Sequence, residues 1–324
     1  EMCIRDRSDI FRICNSNVGK EWGSFHENAG YYPGDGPDTN EIACVSEDIG
    51  ACGASSLIVA EGKVFVYCTG SSSGLFGSSS YAYLVALDKE NLRNILWATQ
   101  IAPRNYVSWA TPAYKDGSVF VSSGHGVYRI DADDGDIIWE FEFPSHKGSV
   151  NGGPAVTKRA VYVGDYDGGY FYCINNSIDN RTRKGEEDII WKFDVTENRT
   201  CDGRAMSVPA IAYGNAYFGS AVYYKGVPRA YGVDATDGTE IWSTITGGIF
   251  GTITVADHRV YFSTYPQGDF YALDAFNGSR IWSSPTGWSD STPAYYAPSH
   301  STRSYIYVTS GGWGGEGMTY CLDA

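Results

Sequence analysis

"DADDGDIIW", residues 131–139, returns as "DATDGTEIW" (234–242) and as "DAFNGSRIW" (274–282). Every copy opens on Asp, places Gly four residues later and closes on Trp four residues after that. Asp-Gly at 134–135 and 237–238, and Asn-Gly at 277–278, are strong hairpin signals. They permit the positive φ that a tight turn between twisted strands demands. The Asp is placed to accept hydrogen bonds from backbone N–H groups of that turn. The Trp is expected to start the following strand and to lie between neighbouring sheets. A buried indole removes about 150–250 Å² from water, which at ~25 cal/mol/Å² is at most roughly 4–6 kcal/mol.

The phrase belongs to a longer repeat. Phrase-ending tryptophans stand at Trp97, Trp139, Trp191, Trp242 and Trp282, and "ICNSNVGKEW" ending at Trp22 is an earlier echo. Upstream of them runs a second shared phrase: "TPAYKDGSVFVSS" (111–123), "GPAVTKRAVYVGD" (153–165) and "VPAIAYGNAYFGS" (208–220). Dense β-branched and aromatic runs bounded by Gly, Asp, Asn and Pro divide each unit into four short strands. Pro112, Pro154, Pro209 and Pro293 stand near the start of the first strand, where a missing N–H costs least. No 3.6-residue periodicity is sustained. A four-stranded unit repeated every forty to fifty residues marks a β-propeller, in which each blade buries its faces against its neighbours.

The fold expected is therefore all-β: a propeller of four-stranded antiparallel blades spanning about residues 53–101, 108–143, 151–195, 206–246, 250–285 and 291–324. With a remnant at 10–25, six nearly complete blades fit a truncated seven- or eight-bladed ring, read as one domain over 10–324. Two blades depart from the repeat. "LDKENLRNILW" (87–97) lacks the turn Gly, and "NNSIDNRTRKGEED" (175–188) inserts hydrophilic residues where the tight turn before Trp191 belongs. The opening "EMCIRDR" and the closing "YCLDA" (320–324) read as ends of a fragment, with residues 1–9 excluded as a non-native leader.

Composition narrows the function. The net charge of −14 opposes phosphate backbones and anionic lipid, and no Lys/Arg cluster offsets it, so no nucleic-acid partner is expected. No apolar run of about 18 residues exists, so no membrane span is expected. Eight Cys contain no C-x-x-C, and Cys44 with Cys52 could close a small disulfide ring. With the sequons at Asn175, Asn180, Asn198 and Asn277 they favour an exported, extracellular or periplasmic protein.

The repeat D-A-x-x-G-x-x-x-W after "PAV…VYVG…DG…Y" resembles that of the pyrroloquinoline-quinone (PQQ) quinoprotein propellers with their tryptophan-docking motif. The resemblance covers about residues 53–324. It implies a propeller and two alternative activities. Catalytic members oxidise alcohols or aldoses with PQQ and Ca²⁺ at the propeller axis, and their alcohol dehydrogenases carry an adjacent cysteine pair absent from this sequence. Non-catalytic members, such as the lipoprotein propeller of the barrel-assembly machinery, share the repeat without a cofactor, and the chain is more similar to these.

Residues just before "PA" are expected at a channel mouth. Among them Trp109, Asn151, Arg204 and Asp290 form the candidate ligand set, against the plainer reading that they are solvated rim groups. Four loops resemble sites less well. "DYDGG" (165–169) lacks the closing Glu of a calcium loop and reads as a hairpin. "GDGPDTNE" (34–41) could hold Ca²⁺ in a loop. "GSSSGLFGSSS" (70–80) and "GGWGGEG" (311–317) lead into no helix and carry no Lys, so they are hairpin loops rather than phosphate cradles. No catalytic residue, metal site or bound cofactor is assigned. The expectation is a monomeric, non-catalytic envelope module that meets a protein or glycan partner through its loops, Tyr31–Tyr32 and Trp313 among them. The alternative is a fragment of a PQQ- and Ca²⁺-dependent dehydrogenase.

Overall fold

The computed structural model describes residues 44–50, 55–69, 81–103, 111–144, 152–179, 181–196, 203–222, 225–298, 302–311 and 317–324. Tyr31–Tyr32, Trp109, Asn151, Trp313 and the loops at 34–41 and 70–80 fall outside them. The fold is all-β, built of β-propeller blades, with one 3-10 turn at Glu186–Asp188 and no α-helix among the described residues. No described helix is long and apolar enough to cross a membrane. Contacts divide the chain into two compact units, one holding 32–158 with 177–185, the other 159–176 with 186–324.

The first unit contains two blades. Ile58–Ala60, Lys63–Cys68, Tyr81–Asp88 and Ile95–Pro103 form the first, in sequence order and antiparallel. Ala113–Lys115, Ser118–Ser123, Gly126–Asp131 and Ile137–Glu142 form the second. Its outer edge carries a fifth strand. Arg183–Lys184, from the hydrophilic insertion, runs parallel to Ile137–Glu142, with Glu140 N–H donating to Thr182 O at 2.9 Å. The insertion thus covers an edge that would otherwise offer unpaired backbone groups. Between the two blades Phe65, Tyr67 and Leu84 bury against Val119, Val121 and Ile130.

The second unit begins with Ala160–Asp165, Tyr170–Asn175 and Ile189–Asp194. Next comes a blade of Ala210–Ala212, Asn215–Ala221, Arg229–Asp234 and Glu240–Ile245, with Arg204–Ala205 pairing antiparallel to Asn215–Ala221. Thr254–Ala256, Arg259–Ser263, Asp269–Asp274 and Arg280–Pro285 follow as a regular four-stranded blade. Three strands, Ala294–Tyr296, Tyr305–Ser310 and Met318–Asp323, complete the unit.

The repeated phrase explains these elements locally. Gly135, Gly238 and Gly278 have φ of 81°, 74° and 68°. Asp131, Asp234 and Asp274 each accept backbone N–H bonds two residues on, at 2.8, 2.7 and 2.9 Å. The Trp, however, does not start its strand. It is the third residue, and in all five blades that carry it a register shift, a β-bulge, stands just before it. A bulge bends the strand and re-aims the next side chain.

Within each unit the indole then reaches the next turn of the repeat. Trp97 Nε1 donates to Ala132 O at 3.2 Å, Trp191 Nε1 to Ala235 O at 3.1 Å and Trp242 Nε1 to Ala275 O at 2.9 Å. A methyl added at Gly135, Gly238 or Gly278 would come within 2.7, 2.8 or 2.5 Å of the same indoles. Glycine is therefore required twice, for positive φ and as the floor on which the ring lies. Each Trp also meets an aromatic ring from its own blade's second strand: Phe65, Phe120, Tyr162, Tyr217 and Tyr261, at 5.7–6.1 Å.

Cys44, which could have closed a small ring with Cys52, carries a free thiol; Cys52 lies outside the described residues.

Candidate functional site

Four sequence candidates were expected at one mouth. Two of them, Arg204 and Asp290, lie in the described part of the second unit, and their surroundings differ. Arg204 is held by the hairpin at 165–169. Its guanidinium pairs with the Asp167 carboxylate and lies 5.1 Å from the Tyr166 ring centroid. The same hairpin is closed by Asp165, fully buried, whose Oδ1 accepts the Gly168 N–H at 2.9 Å. "DYDGG" is therefore a turn that clamps an arginine.

Asp290 lies on the connection between the last two blades, in a cleft of about 270 Å³ lined by Trp288, Ser289, Asp290, Ser291, Thr309, Ser310 and Gly311. The segment is fixed by its own bonds. Ser289 and Ser291 hydroxyls meet at 2.8 Å, Ser291 N–H donates to Ser289 Oγ at 3.0 Å, and Ser291 Oγ donates to Thr309 O at 3.1 Å. Gly311 N–H donates to Trp288 O at 3.3 Å. Where Asp290 passes Gly251, a methyl on that glycine would approach Asp290 O to 2.5 Å, so the backbones run too close for any side chain.

Trp288 is set by a row of rings. Its ring centroid is 4.9 Å from that of Tyr265, which is 5.1 Å from that of Phe250. Tyr265 is pinned by two backbone bonds with Gly248, at 2.8 and 3.0 Å. Asp290 is exposed, yet the protein around it still raises its carboxyl pKa by desolvation. No hydrogen bond or ion pair joins its carboxylate to a described residue.

Sequence reasoning singled out Asp290 but missed Trp288, Tyr265 and Ser291. Trp288 stands two residues before Asp290 in "TGWSDSTPA" (286–294), and an indole outside the D…G…W frame was the available signal. Among the described residues no group of three or more His, Cys, Asp or Glu is placed to hold a metal ion.

Comparisons with known proteins agree on the repeat. The family model described as "Outer membrane protein assembly factor BamB" matches residues 81–184 and 174–315, well over half of the chain. A curated relative, the quinohemoprotein alcohol dehydrogenase ADH-IIG of Pseudomonas putida, is 32% identical over 149 residues, covering 42% of this chain and 19% of that protein. The quinohemoprotein alcohol dehydrogenase of Comamonas testosteroni superposes with a TM-score of 0.60 at 14% identity, over 83% of this chain and 59% of that one. BamB of Moraxella catarrhalis superposes with a TM-score of 0.49 at 17% identity, over 71% and 65%. In each case the chain spans less than two thirds of the relative's own length.

Proposed function

We propose, since this chain belongs to the PQQ-repeat propeller family of the outer membrane protein assembly factor BamB, that it is a non-catalytic binding module of the cell envelope. Under this reading the protein is exported, acts in the periplasm or outside the cell, and meets a protein partner through the loops between its blades. Residues 10–324 form one propeller domain, and the indoles seated on neighbouring turns are its tryptophan-docking motif.

One observation carries the reading. The described chemistry at the loop rim is a small cleft of about 270 Å³, with Trp288 and Asp290 held on a fixed segment. Pockets that enclose drug-sized ligands run to about 300–1,000 Å³. This one falls just below that range. A photoreactive residue at position 288 should cross-link the full-length protein to one discrete envelope component, in competition with untagged protein. Alanine at 290 should weaken that capture. Capture unchanged by competitor would overturn the reading.

The 32% identity to a quinohemoprotein alcohol dehydrogenase favours a second reading, a fragment of a PQQ- and Ca²⁺-dependent dehydrogenase. The described rim residues do not fit that cofactor. PQQ is a tricarboxylate, the cleft presents Asp290 and is lined by no Lys or Arg, and Arg204 is already paired with Asp167. One carboxylate also falls short of the six to eight oxygens calcium takes. Titration calorimetry with PQQ and Ca²⁺, and dye-linked alcohol oxidation, decide between the two. Tight PQQ binding with turnover would replace the first reading by the second.

A further inference from the structure

The cleft of Trp288 and Asp290 has a chemistry that names its occupant. Among the described residues its lining holds a carboxylate, an indole and three hydroxyl-bearing side chains beside Ser289, and no cationic side chain. The hydroxyls of Ser289 and Ser291 are engaged with each other and with Thr309 O. The Asp290 carboxylate is the charged group of the lining, and no hydrogen bond or ion pair joins it to a described residue. Trp288 also lines the cleft and is packed into the Phe250–Tyr265–Trp288 row, which lowers the ordering cost of binding against it.

A carboxylate beside an aromatic face selects a cation, because both the charge and the ring quadrupole attract it. The net charge of −14 adds a long-range field of the same sign. An anion would be repelled by Asp290. A hard metal ion would find one carboxylate where several oxygens are needed. Between the organic cations, a guanidinium is favoured. It is planar, stacks on an indole, offers a fork of donors to a carboxylate and sheds water more readily than an ammonium.

We propose that this cleft receives one arginine side chain of a partner protein, stacked on Trp288 and ion-paired to Asp290. The inference rests on the binding-module reading and specifies the partner's chemistry at this point. Filling the cleft supplies the missing counter-charge to Asp290.

The probe is N-acetyl-arginine amide, titrated into the full chain at about pH 7 and followed by calorimetry or NMR, against N-acetyl-citrulline amide, its neutral isostere. Arginine should bind at least about tenfold more tightly than citrulline. The preference should shrink in about 0.5 M NaCl, where exposed charges are screened within a few ångströms. Asp290→Asn should abolish the discrimination, and Trp288→Leu should weaken arginine severalfold while leaving the charge dependence. Unchanged thermal unfolding in Asp290→Asn, and retained binding in Asp290→Glu, separate a lost contact from a lost fold. Equal affinity for both amides, no binding of either, or arginine binding indifferent to Asp290→Asn overturns the proposal. Saturable binding of methyl β-glucoside or of Ca²⁺ that depends on Asp290 overturns it in favour of a neutral glycan or a metal. Cross-linking from position 288 that persists while arginine fails leaves the module reading standing and removes only this cleft chemistry. Loss of cross-linking together with PQQ binding removes both.

Discussion

Trp242 and Trp139 occupy the same step of the repeat and meet different surroundings. Trp242 donates to Ala275 O at 2.9 Å and lies on Gly278, and Thr244, two residues on, donates to Gly278 O at 2.6 Å. Trp139 is more deeply buried, 1% exposed against 6%, yet its Nε1–H has no hydrogen-bond partner among the described residues. Phe141 stands where Thr244 would, and Lys184 from the inserted strand lies 5.3 Å from the indole centroid. Trp139 is thus enclosed by cation–π contact and aromatic packing, with Phe120 at 6.0 Å, rather than seated by hydrogen bonds. The contrast separates what the indole contributes as apolar surface from what it contributes as a donor. Burial is common to both. The polar seat belongs to Trp242.

The largest expected effect is at the complete seat. Trp242→Ala removes ring packing and the donor together and should destabilise by about 3–5 kcal/mol, the usual range for a buried Trp or Phe truncation. That is a large share of a stability of roughly 5–15 kcal/mol. Urea unfolding of the full chain measures it, and a loss below about 1 kcal/mol would show that the indole is not a principal contact.

The seat's floor can be tested next. Gly278→Ala adds a methyl 2.5 Å from the indole at a φ of 68°. Left-handed backbone costs a non-glycine residue about 1–2 kcal/mol, and overpacking adds about 1–3 kcal/mol, for a total of about 2–5 kcal/mol. Gly117→Ala is the control. It has a φ of 75° with nothing within 4 Å, so only the backbone cost of about 1–2 kcal/mol should appear. Equal losses at the two positions would mean that contact with the ring is irrelevant.

The donor itself is isolated by phenylalanine. Trp242→Phe strips Ala275 O of its partner, whereas Trp139→Phe deletes an N–H that was buried without one. A made hydrogen bond is worth about 0.5–1.5 kcal/mol, and an unmade one is a penalty. Trp139→Phe should therefore cost less, by about 1 kcal/mol. Equal costs would place a partner on Trp139 and break the comparison.

How far the sequence carried these distinctions depends on which atoms did the work. Asp, Gly and Trp recur at fixed spacing because one turn and one seat are rebuilt in blade after blade, so the propeller could be read from 131–139 outward. The acceptor at Ala132, Ala235 and Ala275 could not, because it is a backbone carbonyl and any residue supplies one. The bulge before each Trp was hidden for the same reason. The insertion at 175–188 announced itself as hydrophilic, but its pairing with Ile137–Glu142 joins residues more than forty positions apart. At the cleft, Asp290 was visible as a charge next to a strand start. Trp288 and Tyr265 were not, since the site breaks the repeat that guided the reading and assembles from a connection and a hairpin.

Asp290 is the surface counterpart of Trp139, a polar group the fold leaves over, and it gives the smallest and most specific effect. Desolvation raises its carboxyl pKa in the folded state. The folded protein therefore binds this proton more readily than the unfolded chain, whose Asp titrates near pH 3.9. Between about pH 3.9 and the raised folded value, stability falls as pH rises, because the native state must give up a proton it holds more tightly. Below pH ~3.9 both states are protonated and the penalty disappears. Above the folded value it is constant. The residue is exposed, so solvent screening limits the effect to under about 1 kcal/mol. Asp290→Asn removes the titration and should be slightly more stable than the parent at neutral pH, converging with it towards pH 3–4. Denaturant midpoints of the two proteins across that range measure the difference directly. A parent that gains on the Asn variant as pH rises would mean that a cation already neutralises Asp290 within the protein, which would leave the cleft no counter-charge to recruit from a partner.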